Sequence, residues 1–214
     1  MRLQPPITTV LIDVDGTLLD TREFILRAFE HSIARHGLAY PGRAHMAAQV
    51  GLPLEEIYAA IHPDFEPALV ESHRSFQEEN QHLAVAFPGT AETLARLRER
   101  GLQLAAVTSR SRRTSVRSLE VSGLIELFDA IVSAEDAAAL KPDPAPLRHA
   151  LAVLGADSTG AVMVGDTAAD ILAGRALGIR TVGVTYGFGG RSVLEHAPDA
   201  VIEDIAELAA ALGL

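Results

Sequence analysis

The stretch at residues 11–21 reads LIDVDGTLLDT, and the interpretation of the whole chain starts from it. The apolar, β-branched run at 8–13 leads into this stretch and predicts a buried strand. Asp13 and Asp15 lie at the end of that strand, and Gly16-Thr17 then marks a turn. Because two carboxylates this close repel each other, the pattern indicates a site that uses both of them.

Four further short apolar runs predict strands, at 104–109, 130–134, 161–166 and 181–185. Helical segments separate them, and each of these segments ends at a glycine, the usual residue just past a helix. Strands that alternate with helices of this length favour a parallel sheet covered on both faces. The predicted fold class is therefore α/β, with a Rossmann-like parallel sheet at its core.

Residues 18–87 break this alternation, because three helical patterns follow one another there without a convincing strand. The segments 16–21 and 86–90 flank them and have the composition of hinges. We expect an inserted all-α cap domain at 18–87 and an α/β core domain formed by 1–17 and 88–214. The alternative is that the extra helices pack on a single domain.

The composition excludes several classes of function. The chain has 214 residues and no cysteine, which rules out a disulfide framework or a thiolate nucleophile and favours a cytoplasmic protein. Its net charge of −10 argues against a nucleic-acid or anionic-membrane surface. The apolar run near the N-terminus is too short for a membrane span or a signal sequence. Whether the chain is a monomer or a homodimer stays open.

Two more acids at strand ends complete the candidate site. Asp166 ends the predicted strand at 161–166, and Asp170 follows on the first turn of the next helix. Ligands of open parallel sheets bind beyond the carboxyl ends of the strands, where Asp13 and Asp15 also lie. An isolated Asp in such a position is usually a cap or a turn former. Four of them predict a site for a hard divalent cation, Mg²⁺, which relieves their repulsion and binds a phosphate oxygen.

Four motifs in this order resemble those of the haloacid dehalogenase-like (HAD) hydrolases. They are DVDGTLLDT from Asp13, VTS at 107–109, the lysine of LKPDPAP at Lys141, and VGDTAAD at 164–170. The helical insert directly after the first motif is similar to the C1-type cap of that family. The resemblance spans the whole chain and implies a phosphatase.

The resemblance also implies roles for individual residues. Asp13 is the expected nucleophile, which forms an aspartyl-phosphate, and Asp15 is the expected general acid and base. Thr108 is expected to donate to a phosphoryl oxygen, and Lys141 to pair with the phosphate and with Asp13. The expected Mg²⁺ ligands or supports are Asp13, the Asp15 backbone carbonyl, Asp166 and Asp170. The expected substrate-binding residues are Gly16, Thr17, Ser109 and Arg110.

The substrate is less well specified than the chemistry. The expected partner is a small phosphorylated metabolite, because the motifs look most like the phosphoglycolate phosphatase and pyrophosphatase branch of the family. A β-phosphoglucomutase-like enzyme is a further alternative. Leu52 stands where related enzymes often have a basic residue, which weakens the case for a second strong negative charge on the substrate.

Two other features have competing interpretations. A receiver-type signalling domain also gathers acids and a lysine around Mg²⁺, but Asp15 and the large insert disfavour it. The glycine-rich segment at 186–190 lacks a dinucleotide-binding fingerprint, and we interpret it as a mobile turn.

Overall fold

The computed structural model describes residues 6–62 and 67–214. Eight strands are present in these ranges: β1 (Thr9–Ile12), β2 (Leu19–Asp20), β3 (Val85–Ala86), β4 (Gln103–Val107), β5 (Ala130–Val132), β6 (Ala161–Gly165), β7 (Arg180–Val184) and β8 (Ala200–Ile202). Six of them form one parallel sheet in the order β5-β4-β1-β6-β7-β8. The predicted fold class is confirmed.

Helices connect these strands. The helices of the described residues are α1 (Arg22–Arg35), α2 (Arg43–Ala47), α3 (Leu54–Ile61), α4 (Pro67–Glu79), α5 (Thr90–Glu99), α6 (Arg112–Val121), α7 (Ala145–Leu154), α8 (Ala168–Leu177) and α9 (Leu208–Ala211). None of these is long and apolar enough to cross a lipid bilayer.

The central strands are buried on both faces, as expected for a parallel sheet covered by helices. In β1, Val10 and Ile12 belong to one hydrophobic cluster, whereas Leu11 between them belongs to another. The two-residue period of a strand therefore sends alternate side chains into the two layers of the core. This leaves the polar residues that follow β1 at the carboxyl edge of the sheet.

The register of the sheet places the strand ends side by side. Ile12 pairs with Val164 across β1 and β6, and the Asp13 amide donates to the Val164 carbonyl at 2.9 Å. On the other side, Ile12 pairs with Ala106 of β4. The acids that follow β1 and β6 and the threonine that follows β4 consequently meet at one edge.

The helices α1 to α4 occupy the interval between β1 and β4. They pack on one another through buried aromatic residues, including Phe29 of α1 and Tyr58 of α3, whose ring centroids are 5.6 Å apart. The Ser32 hydroxyl of α1 donates to the Leu69 carbonyl of α4 at 2.6 Å. The short strands β2 and β3 pair antiparallel where the chain enters and leaves this group of helices.

The sequence patterns did not predict three of the strands. The strands β2 and β3 have only two residues each, which is too short to show a periodicity, and the sequence interpretation placed no strand between 18 and 87. The edge strand β8 has three residues and was also missed.

Candidate active site

Three buried carboxylates form the centre of the site. Asp13 follows β1, Asp166 follows β6, and Asp170 lies in the first turn of α8. One oxygen from each lies within 4.8 Å of the others, and all three side chains are buried. The structure thus brings together acids that are about 150 positions apart in the sequence, as the strand-end argument predicted.

Lys141 is the cation of this cluster. It lies in the segment between β5 and α7, and only 6% of the residue is exposed. Its Nζ donates to Asp13 Oδ1 at 2.6 Å, to Asp170 Oδ1 at 2.7 Å and to the Val107 carbonyl at 2.9 Å. These three acceptors use the full donor capacity of an ammonium group.

The cluster carries more negative than positive charge. When fully ionised, the three carboxylates and the ammonium leave two negative charges in a buried site. Burial raises the pKa of Asp13 well above its usual value, although Lys141 opposes this, and burial together with Asp170 raises the pKa of Asp166 to about 7. Burial alone would lower the pKa of Lys141, but Asp13 and Asp170 outweigh it and raise that pKa. A divalent cation fits this site, since it matches the charge and prefers carboxylate oxygens.

Close packing positions the two downstream acids. Asp170 Oδ2 accepts from the Thr167 amide at 3.0 Å and from the Thr167 hydroxyl at 2.6 Å, which closes a capping box at the start of α8. A Cβ on Gly165 would lie 2.3 Å from Asp170 Cγ, so this close approach requires glycine. The Thr17 hydroxyl donates to Asp166 Oδ1 at 3.3 Å.

Asp15 lies outside the carboxylate cluster and has its own partners. Arg110 Nη1 donates to Asp15 Oδ1 at 2.9 Å, and the Thr108 hydroxyl donates to Asp15 Oδ2 at 3.4 Å. The guanidinium also lies over the ring of Phe24 in α1, 5.1 Å from its centroid. Burial lowers the pKa of Arg110, although Asp15 and Asp13 oppose this. Arg110 is therefore neither a surface residue nor an unpaired cation.

Asp13 lines a cavity of about 150 Å³. The predicted site residues that line it are Asp13, Asp15, Thr108, Ser109, Arg110 and Lys141. Gly16 and Thr17 are not among the lining residues, and both lie against Asp166 instead. Their contacts support the acidic cluster, and their role in substrate binding stays a prediction.

The helical segment supplies the other side of the cavity. Its apolar lining residues are Ile25, Phe29, Val50, Leu52, Pro53, Leu54 and Ile57. Its charged pair is Arg74 and Glu55, joined at 3.0 Å. His73 also lines the cavity and is buried, with its Nδ1 3.0 Å from the Tyr58 hydroxyl. Burial lowers the pKa of His73 to about 3, with smaller contributions from Arg74 and Arg110.

Sequence reasoning missed the role of the glycine-rich segment 186–190. The amides of Phe188 and Gly189 donate to Asp166 Oδ2 at 2.6 Å and 3.3 Å. The only signal in the sequence was the density of glycines, which indicates a turn or a close approach of backbone. The interpretation as a simple turn omitted this contact with the acidic cluster.

Comparisons with known proteins agree with this geometry. A family model described as haloacid dehalogenase-like hydrolase matches residues 10–184. Pyrophosphatase PpaX of Bacillus pumilus is 36% identical over 212 residues, and the match covers 97% of each chain. The plasmid phosphoglycolate phosphatase of Cupriavidus necator is also 36% identical, over 97% of this chain and 94% of that protein.

A solved structure extends the likeness to the fold. CbbY from Rhodobacter sphaeroides, determined in complex with phosphate, is 28% identical and matches with a TM-score of 0.81. The match covers 97% of this chain and 100% of that chain. The motifs, the fold and these matches together show that the chain belongs to the haloacid dehalogenase-like hydrolases.

Proposed function

We propose that the protein is a Mg²⁺-dependent phosphatase that hydrolyses a small phosphorylated metabolite through an aspartyl-phosphate intermediate. The observation that carries this proposal is the placement of Asp13. It lines the cavity, its carboxylate is held by Lys141 at 2.6 Å, and two further buried acids lie beside it. A carboxylate that lines a cavity and is oriented by an ammonium group is suited to nucleophilic attack on phosphorus.

The first step transfers the phosphoryl group to the protein. An Asp13 carboxylate oxygen attacks phosphorus, a new P–O bond forms, and the bond to the leaving oxygen breaks. Protonated Asp15 gives its proton to that leaving oxygen. The Thr108 hydroxyl, whose bond to Asp15 is long at 3.4 Å, turns its proton toward a phosphoryl oxygen.

The second step returns the protein to its starting state. Asp15, now a carboxylate, takes a proton from a water molecule, and the water oxygen attacks phosphorus. The bond between phosphorus and Asp13 breaks, which releases phosphate and restores the carboxylate. Lys141 stabilises that carboxylate as it leaves, because its ammonium already donates to Asp13 in the resting site.

Mg²⁺ would be held by the Asp13 carboxylate, the Asp15 backbone carbonyl and Asp166, with Asp170 in support. Such an ion neutralises charge on the nucleophile and on the phosphoryl group when it is bound. The chain's own contribution is to hold its ligands in place before the ion arrives. Thr17 does this for Asp166, and Thr167 and Lys141 do it for Asp170.

We further propose that residues 18–87 act as a cap that closes over the substrate. The small volume of the cavity, about 150 Å³, favours a compact leaving group. The described cations that line the cavity, Arg74, Arg110 and Lys141, each pair with a carboxylate. A carboxylate on the substrate, as in phosphoglycolate, would compete with Glu55 for Arg74 in a partly exposed pair that costs little to open.

Pyrophosphate is the second candidate substrate, because several of the curated relatives are named pyrophosphatase PpaX. Its leaving group is itself a phosphate, which carries more negative charge than the glycolate released from phosphoglycolate. The apolar lining near Leu52 supports the monoester as the first candidate.

The test is a panel of substrates assayed with Mg²⁺ and with chelator. The panel contains phosphoglycolate, pyrophosphate, sugar phosphates and p-nitrophenyl phosphate, and released phosphate is measured. Continuous turnover with Mg²⁺, lost in chelator and in Asp13→Asn with an unchanged circular dichroism spectrum, is the expected result. A single labelling event per chain without turnover would instead support a receiver domain, and sugar phosphate isomerisation would support a mutase.

A further inference from the structure

The glycine-rich segment 186–190 lies against the acidic cluster with no room for side chains at two of its glycines. A Cβ on Gly187 would lie 2.2 Å from the Gly16 carbonyl oxygen and 2.3 Å from Asp166 Oδ2. A Cβ on Gly189 would lie 2.1 Å from the Asp166 carbonyl oxygen. Backbone can therefore approach Asp166 here only because side chains are absent.

The approach places two amides on one carboxylate oxygen. Phe188 donates to Asp166 Oδ2 at 2.6 Å and Gly189 donates to the same atom at 3.3 Å. The Thr17 hydroxyl donates to the other oxygen, Oδ1. Hydrogen bonds from amides to a carboxylate are among the stronger ones in proteins, so they fix the orientation of Asp166.

The same segment is tied to the start of the helical insert. Arg22, the first residue of α1, donates from Nη2 to the Gly187 carbonyl at 3.2 Å. Its guanidinium lies 4.9 Å from the centroid of the Phe188 ring. On the other side, the Tyr186 hydroxyl donates to the Thr17 carbonyl at 2.9 Å. The segment thus spans from Asp166 to the point where the chain leaves the sheet for the helices.

We propose that residues 186–190 form a strap that holds Asp166 in its metal-binding orientation and that Arg22 anchors this strap to the insert. The residues of the strap are positioning residues, since they act on the metal through Asp166. The proposal rests on the proposed function in one respect, namely that Asp166 is a ligand of Mg²⁺. It goes beyond that function by making the metal site depend on a contact with the first residue of α1.

The segment offers a matched pair of glycine substitutions for the test. Gly187 does not have a positive φ, so Gly187→Ala perturbs the strap only through the close contact with Gly16 and Asp166. Gly190 has φ +52°, and a Cβ added there would meet nothing within 4 Å, so Gly190→Ala strains the same loop without crowding the cluster. Mg²⁺ binding to the full chain is measured by calorimetry. Substitution of a residue that supports a metal ligand typically lowers metal affinity about 10- to 100-fold. We expect a loss of Mg²⁺ affinity in that range for Gly187→Ala and a loss of less than about twofold for Gly190→Ala.

A second pair tests the anchor without altering the glycines. Arg22→Ala removes the bond to Gly187, whereas Arg27→Ala removes another arginine of α1, one that pairs with the exposed Glu23. Hydrogen exchange of the Phe188 and Gly189 amides, followed by NMR in chelator, reports on the strap without metal. We expect at least tenfold faster exchange in Arg22→Ala and no change in Arg27→Ala.

The outcomes separate the strap from the proposed function. A wild-type chain that binds no Mg²⁺ would refute the metal centre of the proposed function. The exchange rates of the Phe188 and Gly189 amides in Arg22→Ala and Arg27→Ala would then decide whether the strap holds Asp166. Mg²⁺ affinities within twofold of wild type for both Gly187→Ala and Arg22→Ala would overturn the strap. Equal loss in Gly187→Ala and Gly190→Ala would also overturn it, because loop strain alone would then account for the effect.

Discussion

Replacing Lys141 by methionine tests how the carboxylate cluster is held. Methionine has a similar length and removes only the ammonium, which donates to Asp13, Asp170 and the Val107 carbonyl. At an effective dielectric near 20, each ammonium–carboxylate pair at such distances attracts by about 6 kcal/mol before desolvation is subtracted. Removing one partner of a buried ion pair costs about 3–5 kcal/mol, because the other partner stays buried without compensation. We expect Lys141→Met to lower the free energy of unfolding by about that amount.

The measurement is urea denaturation in chelator, followed by circular dichroism, with the wild type and two variants in parallel. The control is Arg148→Met, an exposed cation on α7, where a surface substitution should change the free energy of unfolding by less than about 0.5 kcal/mol. Turnover should fall by about 100-fold or more in Lys141→Met, because the leaving Asp13 carboxylate loses a preorganised donor. A free energy of unfolding within about 0.5 kcal/mol of wild type would refute the conclusion that the ammonium holds the cluster together.

Three further predictions concern other residues of the cavity. Asp15→Asn should slow the first step, phosphoryl transfer to Asp13 measured in a single turnover, by about 10²–10⁴-fold for alkyl phosphates but much less for p-nitrophenyl phosphate, since that leaving group needs no proton; equal losses in this step would contradict its role as the acid. Arg110→Ala should lower kcat about tenfold with little change in KM, and Arg110→Lys should restore part of it, because a cation again holds Asp15; a pure KM effect would indicate substrate binding instead. His73 has a pKa of about 3 in the fold against 6.5 ordinarily, so the unfolded chain binds a proton in that interval that the native chain does not. The free energy of unfolding should therefore fall by up to about 2 kcal/mol from pH 7 to pH 5, and His73→Gln should remove this part of the slope in urea titrations at each pH; an unchanged slope would contradict the assignment.

The main features of the fold were predictable because they depend on local patterns. The runs that form β1, β4, β5, β6 and β7 are each three to five residues of mostly buried side chains, and the helices between them are amphipathic. The convergence of Asp13 and Asp166 follows from parallel pairing, since the carboxyl ends of neighbouring strands share one edge. The assignment to the HAD-like hydrolases is confirmed by the family model that matches residues 10–184, and its motifs lie at those strand ends.

The partners of Arg110 and Asp166 were not predictable from local pattern. Arg110 follows β4 and looks like a helix-start residue, but its partner Asp15 is 95 positions away in the sequence. The two amides that hold Asp166 come from 22 and 23 positions downstream, and a glycine-rich segment carries no indication of which group its backbone approaches. Contacts of this kind depend on the tertiary arrangement of loops at the sheet edge.

Lys141 is the only lysine among the 214 residues, and all other fixed cations of the side chains are arginines. Reagents that acylate or reductively alkylate primary amines can consequently modify only this side chain and the α-amino group. In this structure the amine is buried and bonded to two carboxylates, which keeps it protonated and unreactive. Mass-spectrometric detection of a second modified amine per chain would therefore report when the Lys141 amine and the carboxylate cluster around it become exposed to solvent, without any label having to be engineered into the protein.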